Sequence, residues 1–224
     1  MANISDAFGT IEIMANDVKV IYDLIYLMDN TLNNDGYYTA INEEVNNIKI
    51  DDLDGDYKHS AIVSFDACGR WSYQENIEKM FSWIKRSCSE NDQLLLDNLE
   101  KQNFKMIFDY TDREPGCEIF GRYVNYIVHN SGDNLFQYTV YDGDYEEYDE
   151  CIVDYCEYLG MDFIEAVEEL SFKFDLDDPD DLERFKNELL NQSKDIEKYF
   201  RKDWKSIISV NTELERFLCL KKIN

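Results

Sequence analysis

Acidic side chains are the residues of this sequence whose number and spacing could do chemistry. Between Asp142 and Glu183 the chain holds 18 acidic residues and one basic residue, Lys173, a net charge of -17 out of the total of -26. Carboxylates act as general acids and bases, bind calcium, or attract the Lys and Arg side chains of a partner. The motifs of the sequence help to decide between catalysis, calcium binding and binding of a basic partner.

Catalytic motifs are absent from the sequence, which contains no GxxxxGK[ST], GxGxxG, HExxH or GxSxG. Carboxylate pairs are so abundant that no two stand out as a general acid and a general base. Cys68 has no neighbouring His that would activate it as a nucleophile. Asp66 and Arg70 flank the segment ACG, but a strand end that packs against a helix explains them equally well. We therefore predict no enzyme, no catalytic residue and no cofactor.

Metal-ligand patterns are weak. The segments DDLDGDYKHSAI, from Asp51, and DGDYEEYDECIV, from Asp142, resemble calcium loops only in acid density, because both lack the sixth-position Gly and the closing Glu. The cysteines show no CxxC and lie far in sequence from the two histidines, so we predict reduced, partly buried thiols and no metal site. These residues are Cys68, Cys88, Cys117, Cys151, Cys156 and Cys219, with His59 and His129.

Composition predicts a folded chain. Of the 224 residues, 44% are hydrophobic and 14% aromatic, and only 2 are Pro, unlike a disordered acidic tail. The net charge of -26 repels nucleic acid and anionic membranes and attracts basic surfaces. Since the sequence has neither a long apolar run nor an N-terminal signal pattern, we expect a cytoplasmic, unanchored protein.

Residues 1–145 alternate between strand and helix patterns. The patterns predict a strand at GTIEIMA, a helix at NDVKVIYDLIYLMDNTL with Asn16 as its N-cap, a polar loop, and a second strand at SAIVSFDACGRW. Helices at SYQENIEKMFSWIKRS and NDQLLLDNLEKQ follow, and then strands at FKMIFDY, CEIFGRYVNYIVHN and NLFQYTVYD. This order predicts an α+β domain, an antiparallel sheet with helices on one face, ferredoxin-like in arrangement.

Residues 146–224 are predicted to form an acidic helical region. One helix is expected from near Asp149 to Leu170, and a second begins at Pro179 with Asp178 as its N-cap. A short last helix is expected in NTELERFLCLKKIN. On the first helix, acids at steps of three, four or eight share one face, in a row of roughly 27 Å. Carboxylates one turn apart would replace about every second phosphate of a DNA strand.

The predicted partner-binding residues form this row together with a second patch that precedes it. They are Asp142, Asp144, Glu146, Glu147, Asp149, Glu150, Asp154, Glu157, Glu165 and Glu168. Tyrosines interleave with them, and Tyr is a frequent anchor at protein interfaces.

Two segments, SFDACGRWSYQENIEKMFSWI and FKMIFDYTDREPGCEIFGRYVNY, resemble phage- and plasmid-encoded ferredoxin-like domain proteins. In that family a Gly-Arg-Trp turn opens a helix, and a strand pair carries an acidic turn and then Gly. The resemblance covers about residues 8–145 and implies the fold, since the family has no settled activity. This chain has EPGCEIFGR where the family has a Gly-richer turn.

The whole chain, acidic and without a catalytic motif, is similar in kind to antirestriction and anti-CRISPR proteins, several of which present a DNA-like acidic surface. This similarity implies an inhibitor, carried by a mobile genetic element, that blocks the nucleic-acid channel of a CRISPR effector or restriction nuclease. It would bind neither nucleic acid nor membrane itself. An immunity or antitoxin-like protein that neutralises one basic effector is the alternative. A small enzyme, a calcium-dependent binder and a plain solvated surface also remain open.

Overall fold

The structure is a computed structural model, and it describes residues 4–32, 38–44, 47–70, 72–114 and 119–200. The chain divides into two compact units, Met1–Tyr148 and Asp149–Asn224. The short last helix expected in NTELERFLCLKKIN lies outside the described residues, and so does Trp71 of the Gly-Arg-Trp turn.

The described part of the first unit is a seven-stranded antiparallel sheet with three helices, which confirms the predicted α+β class. The strand order is β2-β4-β1-β5-β6-β7, and β3 also pairs with β4. Strand β1 is central, since it pairs with β4 along its whole length and with β5 from residue 6 onward. The elements are β1 (Ile4–Ala15), α1 (Val18–Thr31), β2 (Tyr38–Ile41), β3 (Asp51–Asp52), β4 (His59–Arg70), α2 (Tyr73–Ser87), α3 (Glu90–Leu99), β5 (Phe104–Glu114), β6 (Ile119–His129) and β7 (Val140–Glu147).

The hydrophobic core lies between one face of the sheet and α1, α2 and α3. Period-2 alternation produces this face, because every second residue of β5 from Phe104 to Glu114 is buried. The opposite face keeps apolar side chains in solvent, among them Phe8 and Ile62. One face of the sheet is therefore buried against the helices, whereas the other keeps half-buried and exposed side chains.

Three local expectations for the first unit are wrong. The strand expected at NLFQYTVYD is displaced, since only its last three residues, from Val140 to Asp142, lie in β7, which runs on to Glu147. The side chain of Asp17, rather than Asn16, caps α1 by accepting a hydrogen bond from the backbone N–H of Lys19 at 2.9 Å. The stretch between α1 and β4 is not only a loop, because it contains β2 and β3. Both strands are too short for alternation to reveal them, and both are defined by their pairing with β4.

The second unit contains three helices in its described part, α4 (Ile152–Tyr158), α5 (Phe163–Ser171) and α6 (Pro179–Phe200). Their buried apolar side chains include Tyr155, Val167 and Phe185. Helix α6 begins as predicted, since the Asp178 carboxylate accepts hydrogen bonds from the backbone N–H groups of residues 180 and 181 at 2.8 and 3.2 Å.

The single helix expected from Asp149 to Leu170 is wrong, because residues 159–162 separate α4 from α5. Gly160 has φ of +67°, in the left-handed region that ends helices. Asp162 and Glu165 then form a capping box that starts α5: the Asp162 carboxylate accepts from the Glu165 N–H, and the Glu165 carboxylate accepts from the Asp162 N–H, both at 3.0 Å.

Gly9 lies in β1 at the closest approach of two strands. A Cβ atom at this position would lie 2.1 Å from the backbone oxygen of Asp109 and 2.6 Å from the Cα atom of Tyr110. Backbone atoms of a central strand cannot move away as a flexible side chain can, so β1 and β5 pair here only because residue 9 has no side chain.

We predict that Gly9→Ala lowers the free energy of unfolding by about 3 kcal/mol or more, because overpacking here displaces backbone. Gly55→Ala is the matched control, since a Cβ at Gly55 would meet no atom within 4 Å. Urea unfolding of both variants measures the difference. Equal stability of the two variants would contradict the close approach of β1 and β5.

Candidate functional site

Four of the predicted partner-binding residues lie on β7, at the end of the strand order. Seven successive residues of this strand, from Tyr141 to Glu147, are exposed, although a strand packed on one face buries every second side chain. We call these four carboxylates the edge patch: Asp142, Asp144, Glu146 and Glu147.

Asp142 is fixed by hydrogen bonds from the rest of the first unit. Its carboxylate accepts from the side-chain amides of Asn125 at 3.0 Å and Gln74 at 3.2 Å. The hydroxyl of Tyr110 donates to the Asn125 carbonyl oxygen at 2.6 Å, so the chain of bonds continues into the core. Residues of β5, β6 and α2 therefore fix the side chain of Asp142, the first acid of the edge patch.

The register between β6 and β7 shifts between Tyr123 and Asn125, an irregularity of the bulge kind. Beside it lies an open groove of about 290 Å³, lined by side chains that include Arg122, Asp144 and Glu146. Arg122 donates to the Asp109 carboxylate through Nε at 2.7 Å and through its terminal nitrogen at 2.5 Å. The guanidinium is thus paired with Asp109, and this pairing raises the pKa of Arg122.

The other six predicted residues belong to the second unit. They do not share one helix: two precede α4, two lie on α4 and two lie on α5, with the break at Gly160 between the helices. The continuous row of carboxylates along one helical face therefore does not exist. We call these six the helical patch: Asp149, Glu150, Asp154, Glu157, Glu165 and Glu168.

Three acids of the helical patch serve the unit's own structure. Glu150 forms an ion pair with Lys173, and its side chain is only 17% exposed. The Asp154 carboxylate accepts from the backbone N–H of Asp149 at 2.7 Å, and burial raises its pKa. Glu165 completes the capping box of α5. The carboxylates of Asp149, Glu157 and Glu168 are exposed and have no such structural role among the contacts described above.

Asp112 is a buried carboxylate that was not among the predicted site residues. It is 1% exposed, and its Oδ2 accepts a hydrogen bond from the backbone N–H of Tyr73, the first residue of α2, at 2.7 Å. Ser72, the N-cap residue, makes no side-chain cap of its own, so β5 supplies the cap. Burial raises the pKa of Asp112 to about 6, although the bond from Tyr73 opposes the shift.

Other kinds of site find little support among the described residues. No group of three or more His, Cys, Asp and Glu side chains is placed to hold a metal ion. A pocket between α1, β2 and α2 has a volume of about 10 Å³, room for one water molecule at most.

Burial raises the pKa of the Cys68 and Cys151 thiols, which lowers their reactivity. None of the helices in the described ranges is both long and apolar enough to cross a membrane.

Replacing the buried carboxylate Asp112 by its neutral amide, Asp112→Asn, keeps the cap and tests the raised pKa. The pKa of Asp112 is raised in the folded state, so its contribution to stability is present below about pH 4 and is lost as pH rises through about 6. The amide keeps an oxygen for the Tyr73 N–H without a charge. We expect Asp112→Asn to exceed the parent in unfolding free energy by about 1 to 3 kcal/mol at neutral pH, with the excess vanishing toward pH 4.

Asp54→Asn, at an exposed loop position, removes the same charge and corrects for the overall repulsion in the chain. Denaturant titrations between pH 4 and 7.5 measure all three proteins. A stability difference between Asp112→Asn and the parent that does not change with pH would contradict the raised pKa.

Comparison with known proteins gives no assignment for this site. The chain matches no protein-family model, no curated protein and no solved structure.

Proposed function

We propose that this chain is an inhibitory protein of a mobile genetic element that acts in the cytoplasm, by binding and without catalysis. Its target is a basic nucleic-acid-binding protein of a host defence system, a restriction nuclease or an RNA-guided effector complex. The observation that carries the proposal is the segregation of charge, 18 acids against Lys173 between Asp142 and Glu183. All of these acids are exposed except Glu150, Asp154, Glu169 and Asp181, which are half-buried.

The mechanism is competition for basic side chains. Lys and Arg residues that bind phosphates are attracted to carboxylates presented at high density, and an occupied channel cannot admit DNA or RNA. The carboxylates lie on a strand edge, in loops and on three helices, so the mimicry rests on charge density and not on a phosphate-like spacing along one helix. Such binding weakens as salt rises, because exposed charges are screened.

The fold proposal goes one step further than the α+β class. We propose that β1, α1, β2, β4, α2 and β5 form a ferredoxin-like unit to which β6 and β7 are added. The order β5-β1-β4-β2 supports this, because each crossover from β1 to β2 and from β4 to β5 passes over one intervening strand.

Exposed aromatic side chains favour the second candidate, an immunity or antitoxin-like protein that binds one basic effector. Tyr141 and Tyr145 of β7 are 46% and 72% exposed, and Phe172, which follows α5, is 78% exposed. Large apolar side chains in solvent supply contact area that salt does not screen. An interaction that persists at high salt with a single effector of another kind would favour this function.

Charge reversal tests the proposed inhibition. Two double variants change the net charge equally: Glu157→Lys with Glu168→Lys in the helical patch, and Asp144→Lys with Glu146→Lys in the edge patch. All four side chains are exposed and none has a cap or pairing role shown above, so the fold should persist. We expect at least one double variant to weaken inhibition of DNA binding about tenfold, since it places positive charge against the partner's basic surface.

The measurement is displacement of labelled DNA from a panel of purified restriction nucleases and RNA-guided complexes, at about 0.1 and 0.3 M salt. Asp54→Lys with Asp56→Lys is the matched control, with the same change in charge at exposed positions of another loop. Inhibition that survives both patch variants, or that falls equally in the control, would count against an acidic docking surface.

A further inference from the structure

We infer that the outer edge of β7 is a docking site for an extended, lysine- or arginine-bearing segment of a partner protein, which pairs with β7 as an additional strand. This inference rests on the proposed function, because it names the chemistry of the partner at one of the two acidic patches. It concerns the first unit only.

The edge of the sheet is open at β7. Over the described residues, β7 pairs with β6 on one side and with no strand on the other. Its residues from Tyr141 to Glu147 are exposed, and packed side chains therefore do not cover the backbone of this strand. A strand at an edge presents unpaired N–H and C=O groups, and an extended peptide satisfies them by adding to the sheet.

The charge of β7 selects the kind of peptide. The edge patch contributes four carboxylates, and the nearby guanidinium of Arg122 is held by Asp109 on the neighbouring strand. A segment with lysine or arginine at alternate positions is complementary to these carboxylates, because cross-strand pairs of opposite charge stabilise a sheet. A second copy of this chain is a poor occupant, since its own β7 would place like charges opposite each other.

The irregularity of β7 provides a place for one long basic side chain. The groove of about 290 Å³ beside the register shift is lined by Val124, Arg122, Asp144, Tyr145 and Glu146. Within it, the carboxylates of Asp144 and Glu146 are available to an ammonium or guanidinium group. The Tyr145 ring, 72% exposed, offers a face for a cation–π contact. A lysine or arginine of the added strand fits this combination of an apolar wall, an aromatic ring and two acids.

Two synthetic peptides of eight residues, the length of β7, separate strand pairing from simple attraction. One alternates lysine with valine and the other alternates lysine with proline, so their charges are equal but the second lacks half of the backbone N–H groups. Titration of the full chain should give at least about tenfold tighter binding of the lysine–valine peptide. That peptide should also slow hydrogen exchange in residues 140–147 and leave exchange in α3 unchanged.

Equal affinity for the two peptides overturns the inference, as does tight binding without protection of β7. Absence of binding also overturns it, since the acidic side chains would then serve only to keep other strands away from the edge. Asp144→Lys with Glu146→Lys should lower the affinity for the lysine–valine peptide at least about tenfold, whereas Asp54→Lys with Asp56→Lys should retain it. An equal loss in both variants assigns the effect to overall charge and overturns the inference.

The peptide titration contains no nuclease, so it fails or succeeds independently of the proposed function. Loss of nuclease inhibition in the helical-patch variant, combined with equal binding of the two peptides, would retain the proposed function and exclude strand pairing at β7. The converse result, strand pairing without inhibition of any nuclease, would retain the docking edge and exclude the nuclease as its partner.

Discussion

The carboxylate of Asp112 beneath the first turn of α2 is a buried polar contact between the sheet of the first unit and its helical layer, which otherwise packs through the apolar core. It sits on β5, one strand from the centre, and accepts the N–H of Tyr73 where Ser72 provides no cap. The hydrogen bond and the helix N-terminus offset part of the cost of burying this charge, and the raised pKa of Asp112 reflects the cost that remains. Asp112 therefore fixes the first turn of α2, whose apolar face packs into the core beside it.

The same region connects the core to the acidic edge. The Tyr73 ring packs edge-on against Tyr110 at 5.0 Å between ring centroids, and the Tyr110 hydroxyl donates to Asn125. Asn125 and Gln74 in turn donate to Asp142. Buried polar groups that are mutually satisfied rigidify the elements that carry them. The exposed patch on β7 is thus anchored, at its first acid, to a chain of hydrogen bonds that reaches the core of the unit.

Sequence periodicity predicted most of the long elements of the first unit, but it misplaced β7 and missed the features that depend on contacts between distant residues. Alternation identifies β5, but alternation alone does not show that Asp112 continues the buried side, because an acid ordinarily marks the solvent side of a strand. The strand β2 has four residues and gains its identity from pairing with β4. A local signal for the break between α4 and α5 was present in Gly160 followed by Asp162 and Glu165, yet the apolar spacing continues across it.

For the candidate site too, the sequence reveals the composition but not the geometry. The density of acids follows from the sequence, but the sequence does not reveal which carboxylates are already engaged. Glu150 is paired with Lys173, and Glu165 caps its own helix. Such engaged acids stabilise the unit and offer less charge to a partner, since an ion pair or a cap has already offset part of their potential.

Acids on β7 have no comparable internal use except at Asp142, and a strand exposed on both faces gains little from burial. Charges on an edge strand ordinarily prevent edge-to-edge association, and a single lysine or a short strand serves that purpose. Four carboxylates repel each other, and protection of the strand edge requires fewer charges. Side chains of both charge signs would give the same solubility with less repulsion. If β7 docks a partner strand as proposed, this arrangement would discriminate between partners by the sign of their charge: it would repel nucleic acid and its own copies and attract a basic strand.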